Sequence, residues 1–497
     1  MKQKEFLFSL IKSLTKHEKK YFVGQARANR GDKNYLRLYE IIERQDVYDE
    51  QKVRAAFKGE KFLRQLPVAK NYLGAGILRA LRAYHAAANV ERELKEELHE
   101  VEILYAKSLY RHCRQKLARI VKKAKLHEKH VCLLEALSWQ KKLERIQGYK
   151  QMNAATQQAL FKEELHTIEL LRDDREYDAL SDDYFLLIAR GHNAKSELNG
   201  RLRALLNSKL LRDERRPQTY RSKNFFHLIR SRIQHNLGDL EAGCEHGKKQ
   251  LALLEALPAR LFEEERFNYI VASYNQLIIL TYLKRNAEFE AGIAKLRRLE
   301  ARNEKERSTL FYTYLTELDY YIVNRRYTQG CALEAPIAEG LKTFEGKLNR
   351  QVELAFCYNL GYAFIGAGRA KKALRWLNKI LNDEAEIRTD IHAMARLLNL
   401  LAHYELGNDD TLSHLAGSAT RYLRKHDFFG KIEALLLDYL GKKLPNASNE
   451  RARQTLLKKL QEELNAFPGK EGESFRSMFD FPRWIESRLQ NKSMEDR

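Results

Sequence analysis

The chain is short of the residues that interrupt helices and of those that build chemical sites. Of its 497 residues only 7 are proline and 24 glycine, so long helices meet few breaks. The 5 cysteines, Cys113, Cys132, Cys244, Cys331 and Cys357, are dispersed, odd in number and without a Cys-x-x-Cys pair. That excludes a disulfide framework and points to buried thiols in a reducing compartment. No apolar run approaches the roughly 18 residues of a membrane span. The start, Met1-Lys2-Gln3-Lys4-Glu5-Phe6-Leu7-Phe8, lacks a signal-peptide core. A soluble cytoplasmic protein is expected. His-Glu-x-x-His, Gly-x-Ser-x-Gly and kinase motifs are absent, and no Gly-Lys-Ser/Thr follows Gly366-Ala367-Gly368. The expectation is a protein that is not an enzyme and uses no cofactor.

Acid is scarce at one end. Residues 1–150 carry 34 Lys/Arg against 18 Asp/Glu, whereas residues 151–497 carry 55 against 49, and the net charge is +22. A basic N-terminal third on a nearly balanced remainder points to an acidic partner at that end. The strongest run is Lys107, Arg111, Arg114, Lys116, Arg119, Lys122, Lys123 and Lys125, with no acid between Glu102 and Glu128. Such a helix forgoes the i,i+4 ion pairs that surface helices use. A second cluster, from Arg201 to Arg232, includes Arg212, Arg215, Arg216, Arg221 and Lys223, with Tyr220, Phe225 and Phe226 interleaved. Three readings stay open: an anion-binding face for RNA, DNA or a ribonucleoprotein with stacking aromatics, a face for an acidic protein, or a solvated face over an aromatic core.

What is abundant is Leu, Ala, Glu, Lys and Arg, and the pattern is helical throughout. Leu7, Leu10, Ile11 and Leu14 have helical spacing, and Thr15-Lys16-His17-Glu18 is a capping box opening the next helix. Residues 50–57, a turn and a helix from Pro67 have roughly a helix-turn-helix layout, with Lys61, Arg64, Lys70, Arg79 and Arg82 available to phosphates. The expected divisions are an N-terminal helical bundle over 1–90, basic long hairpins over 91–219, repeats over 220–442, capping helices over 443–490 and a disordered tail over 491–497.

The repeats align on a small residue of the second helix of each unit: Ala242 or Gly243, Ala291, Ala332, Ala373 and Ser413. Tyr282, Phe364 and Tyr404 recur nine residues ahead of three of these, and Asn286, Gly368 and Asn408 recur where a left-handed turn residue is needed. A two-helix unit cannot bury its apolar face alone, so it must stack on neighbours. After Pro468-Gly469-Lys470, an aromatic segment (Phe475, Met478, Phe479, Phe481, Trp484, Ile485, Leu489) is expected to cap the open end.

Leu360, Gly361, Phe364, Gly368, Ala373 and Leu377 stand where a tetratricopeptide repeat has its Leu-Gly, Tyr, Gly, Ala and Phe-like residues, so 357–385 resembles that family. Ala385 replaces the closing proline. The resemblance implies an all-α fold, an α-solenoid of helical hairpins, and a groove holding a protein partner (a peptide or helix), with Tyr358, Tyr362 and Ile365 on that face. Tyr358 and Tyr362 occupy positions where some members carry carboxylate-gripping Lys and Asn, which argues against a carboxylate clamp. The stretches Leu14–Phe22 and Lys61–Leu73, with Asp480–Ser487, look like an uncharacterised group of Bacteroidetes repeat proteins, which implies no activity.

Metal chemistry has weak footing. Glu96 of the pair Glu96…His99 lies about 200° around the axis from the apolar Leu98 and faces water, and Glu163…His166 is similar. His112, Cys113, His127, His130 and Cys132 lack zinc-site spacing. No metal ligand is assigned. The expected function is a scaffold or adaptor on the repeat array, with its basic half near nucleic acid. The alternatives are a sequence-independent nucleic-acid binder and an enzyme with an unrecognised site.

Overall fold

The computed structural model describes residues 3–28, 33–84, 89–149, 153–189, 195–383, 387–467 and 478–495. These form helices and no strand, so the chain is all-α. None of the described helices is long and apolar enough to cross a membrane. Ala385, Pro468-Gly469-Lys470 and Phe475 lie outside the described residues. The chain divides into two compact units, Met1–Glu176 and Tyr177–Arg497.

The first unit opens with α1 (Gln3–Ser13), α2 (Lys16–Ala28), α3 (Lys33–Glu43), α4 (Glu50–Ala56) and α5 (Leu66–Tyr84). Their apolar stripes meet in one core that includes Leu7, Ile11, Phe22, Leu38, Phe57 and Ile77. The expected capping box starts α2: the Thr15 amide donates to Glu18 Oε2 at 2.7 Å, and the Glu18 amide donates to Thr15 Oγ1 at 3.3 Å. Next come α6 (Val90–Ala106), α7 (Tyr110–Leu126) and α8 (His130–Ile146). Left-handed Ser108 and Glu128 turn one into the next. Each buries a narrow stripe, and Leu94, Leu98, Leu117, Ile120 and Leu133 form a second core. The division between units falls within α9 (Ala154–Ala189).

The second unit continues with α10 (Lys195–Leu206), α11 (Lys209–Arg212), α12 (Tyr220–Leu237), α13 (Leu240–Glu255), α14 (Ala259–Leu283), α15 (Asn286–Arg297) and α16 (Glu304–Val323). It ends with α17 (Tyr327–Ala332), α18 (Glu334–Thr343), α19 (Arg350–Gly366), α20 (Ala370–Leu381), α21 (Thr389–Glu405), α22 (Asp409–Lys425), α23 (Lys431–Asp438), α24 (Glu450–Asn465) and α25 (Phe481–Gln490). From α12 to α23 helices pair with their successors, while α14, α16, α19 and α21 also pack in sequence on one another. The following helices are tied by ion pairs: Lys248 of α13 meets Glu288 of α15 at 2.9 Å, and Lys372 of α20 meets Glu334 of α18 at 3.1 Å.

Close approach depends on small residues, though not always the expected ones. Gly361 and Ala373 are buried, and a Cβ on Gly361 would come within 2.8 Å of Leu377. Ala291, Ala332 and Ser413 are instead exposed, and the contacts fall on Gly292, Gly330 and Ala416. The close contacts therefore fall one to three residues away from the expected small residues, because small residues are common on both faces of a helix. The turns behave likewise. Gly368 is left-handed as expected, but Lys284 and Gly407 take that conformation rather than Asn286 and Asn408. In each case the bend lies a residue or two nearer the preceding helix.

The C-terminal segment departs furthest from expectation. It packs on α24, as a cap would, and also reaches back along the ends of α16, α19 and α21. Trp484 Nε1 donates to Glu405 Oε1 at 2.6 Å, and Arg325 pairs with Asp480 at 3.1 Å. Residues 491–495 do not behave as a disordered tail: Met494 is buried, and Glu495 Oε2 accepts from Thr328 Oγ1 at 2.6 Å.

Candidate functional site

A cavity of about 620 Å3 opens along α14, α16, α19 and α21. Leu315, Asp319 and Ile322 reach it from one face of α16, and Ala355, Tyr358, Asn359 and Tyr362 from one face of α19. Both sets have the i, i+3/i+4, i+7 spacing that places side chains on a single stripe. Tyr282 at the end of α14, 57% exposed, forms another part of the wall. Met478 and Asp480 of the C-terminal segment complete it.

Two charge pairs sit on the lining. Arg325 pairs with Asp480 at 3.1 Å, and Arg388 pairs with Asp390 at 2.8 Å. The Arg388 guanidinium holds the Asp390 carboxyl below its ordinary range. Asp319 differs from both: its Oδ1 accepts from Asn359 Nδ2, and no ion pair forms on it among the described residues. Asp319 is half-buried, on the cavity lining. Burial pushes it up to about 7, against a smaller opposing effect of the Asn359 hydrogen bond.

Tyr358 and Tyr362, expected on the groove, do line the cavity, and they already hold the chain's own segment. The Tyr358 hydroxyl donates to the Met478 carbonyl at 2.6 Å, and the Asp480 amide donates to the Tyr362 hydroxyl at 3.2 Å. The Tyr362 and Phe479 rings lie 4.6 Å apart. Ile365 is buried and is not part of the lining. Asp319 was missed because its sequence setting, Thr316-Glu317-Leu318-Asp319-Tyr320, reads as an ordinary amphipathic helix. The apolar Leu315 and Ile322 on its stripe were the available signal.

The basic helix α7 has more partners than its own sequence offers. Arg114 pairs with Glu144 of α8 at 2.9 Å, Lys116 with Glu100 of α6, and Lys125 with Glu163 at 2.9 Å. Lys123 reaches both Glu93 and Glu97 of α6. The inference that α7 forgoes ion pairs is thus corrected: neighbouring helices supply the acids. Among the described residues Lys107, Arg111, Arg119 and Lys122 remain exposed without an acidic partner.

In the second cluster Arg215 pairs with Asp213 at 3.2 Å and Arg221 with Asp178 at 3.8 Å. Arg212 is exposed, Lys223 is half-buried, and Arg216 is exposed with contacts of its own. The interleaved aromatics are not stacking platforms. Phe226 is fully buried, Phe225 packs on the same core, and the Tyr220 hydroxyl is held by Glu265 at 3.0 Å. The two clusters belong to different units. In the helix-turn-helix-like stretch, Lys70 turns to the Tyr48 hydroxyl at 2.6 Å and to Glu50 at 3.6 Å, leaving Lys61, Arg64, Arg79 and Arg82 exposed.

All five cysteines are buried, and burial pushes the Cys132 thiol up to about 11. His99 Nδ1 lies 3.3 Å from Glu102, Glu163 is paired with Lys125, and His130 Nε2 is 3.9 Å from Asp174. No three metal-capable side chains converge among the described residues. No protein-family model, curated protein or solved structure matches the chain.

Proposed function

We propose that the protein is a non-enzymatic adaptor whose residues 220–442 form an α-solenoid of tetratricopeptide-like hairpins and hold a protein partner along their first helices. The observation that carries this reading is the cavity of about 620 Å3 on α14, α16, α19 and α21, of the size that buries a ligand side chain or more. The test is a photo-crosslinking amino acid placed in the full-length protein at Tyr282 or Val323, both on the cavity, and at Lys371 on α20 as an exposed control. A partner protein should crosslink from the first two positions and not from the third. Equal capture from all three, or none, overturns the reading.

A second reading rests on the exposed cations Lys107, Arg111, Arg119 and Lys122: sequence-independent contact with RNA or DNA. Binding of both nucleic acids should fall with salt, and Arg111, Arg119 and Lys122 changed together to Glu should abolish it. Absence of binding at low salt sinks this reading.

A further inference from the structure

Charge balance around the cavity is uneven. Two arginines are each matched by an aspartate, so neither leaves a free positive charge for an anionic ligand. Among the described residues, the Asp319 carboxylate of the lining has an amide, not a cation, as its partner. A half-buried carboxylate without a counter-ion carries a desolvation cost, and a positively charged group entering the cavity offsets it. Tyr282, more than half exposed on the same lining, adds an aromatic face of the kind that attracts ammonium and guanidinium groups. We infer that this cavity takes an alkylammonium or guanidinium group, seated on the Asp319 carboxylate beside Tyr282. The inference rests on the adaptor reading for its source, a Lys or Arg side chain of the partner; a free polyamine carries the same chemistry.

Proton linkage gives the idea a signature. Only the ionised carboxylate attracts the cation, so binding should strengthen as pH rises through about 7 and level off above it. Other titratable and charged groups face the site from each neighbouring element. On α14, burial pushes Tyr274 up, against an opposing pull from Arg232 of α12. On α19, burial likewise raises Tyr358, and Asn359 does not titrate. Beside α21, Asp390 is held low by Arg388, and Arg325 faces Asp480. His235, whose ring lies 6.3 Å from Tyr282, is pushed below its ordinary value by burial.

The experiment is calorimetric titration of the full-length protein with Nα-acetyl-lysine amide, Nα-acetyl-arginine amide, spermidine and glutarate between pH 6 and 8. The cations should bind about tenfold more tightly at pH 8 than at pH 6. Asp319→Asn should lose binding and its pH dependence while melting at or above the wild-type temperature. Tyr282→Ala, a change at an exposed ring, should weaken binding about two- to fivefold. Binding of the two amino-acid amides supports a partner side chain, and binding of spermidine alone supports the cation site with a polyamine as its source. Glutarate binding in place of the cations, or undiminished cation binding by Asp319→Asn, overturns the inference. Crosslinked partners without cation binding would leave the adaptor reading standing; cation binding without crosslinked partners would do the reverse.

Discussion

Helices α7 and α19 are both 17 residues long, and they meet their surroundings in opposite ways. α7 buries one stripe, Cys113, Leu117, Ile120 and Ala124, and carries charge elsewhere. α19 buries nearly every residue from Leu354 to Gly366. The reason is the number of covered faces. α7 packs against α6 and α8. α19 packs against α16, α17, α20 and α21 and also carries the C-terminal segment on Tyr358 and Tyr362. On a helix with one buried stripe a cation finds an acid on a neighbour or stays in water. On a helix covered nearly all round, a polar group must find its partner inside the protein, as Asn359 does on Asp319 of the neighbouring α16.

Core substitutions should break the comparison most strongly. Trp376 of α20 is fully buried, and its Nε1 donates to Glu334 at 3.0 Å. Trp376→Ala should cost about 3–5 kcal/mol in urea unfolding. A Cβ at Gly366 would sit 2.5 Å from the Tyr327 ring, so Gly366→Ala should cost about 1–3 kcal/mol, with a lower melting temperature as the readout.

Acid should sharpen the contrast through His227 of α12 and His246 of α13, whose Nδ1 atoms lie 3.0 Å apart. Burial holds both down to about 4, from an ordinary value of 6.5. Between those values the unfolded chain binds more protons, so stability present above about 6.5 is lost as pH falls toward 4. The urea midpoint should therefore drop between pH 7 and pH 4.5, and less so in His246→Gln. The smallest effects belong to α7. Lys123→Ala, which removes contacts to Glu93 and Glu97, should cost about 0.5–1 kcal/mol. Arg119→Ala, at an exposed site without an acidic partner, should change stability by less than about 0.5 kcal/mol.

Much of the helical layout was legible because helix formation is local. The Thr15–Glu18 box, the break at Gly368 and the Gly361–Ala373 packing positions were read from residues a few places apart. The exposed Ala291, Ala332 and Ser413 show the limit: composition marks a helix without saying which side faces its neighbour. The groove was half legible. Tyr358 and Tyr362 share a helix face, and that face does line the cavity. Their contacts with Met478 and Asp480 join residues about 120 positions apart, which no periodicity reveals.

By itself the sequence determined an all-α chain, its buried cysteines, and the excess of positive charge in its first third, since these follow from composition and short-range spacing. Tertiary structure alone decided which cations find acids on neighbouring helices. It also decided where the C-terminal aromatics settle and that, among the described residues, Asp319 faces the cavity with an amide and no cation as its partner. Each of these depends on which distant segments share a surface, and desolvation and ion pairing are set by that surface, not by the local run of residues.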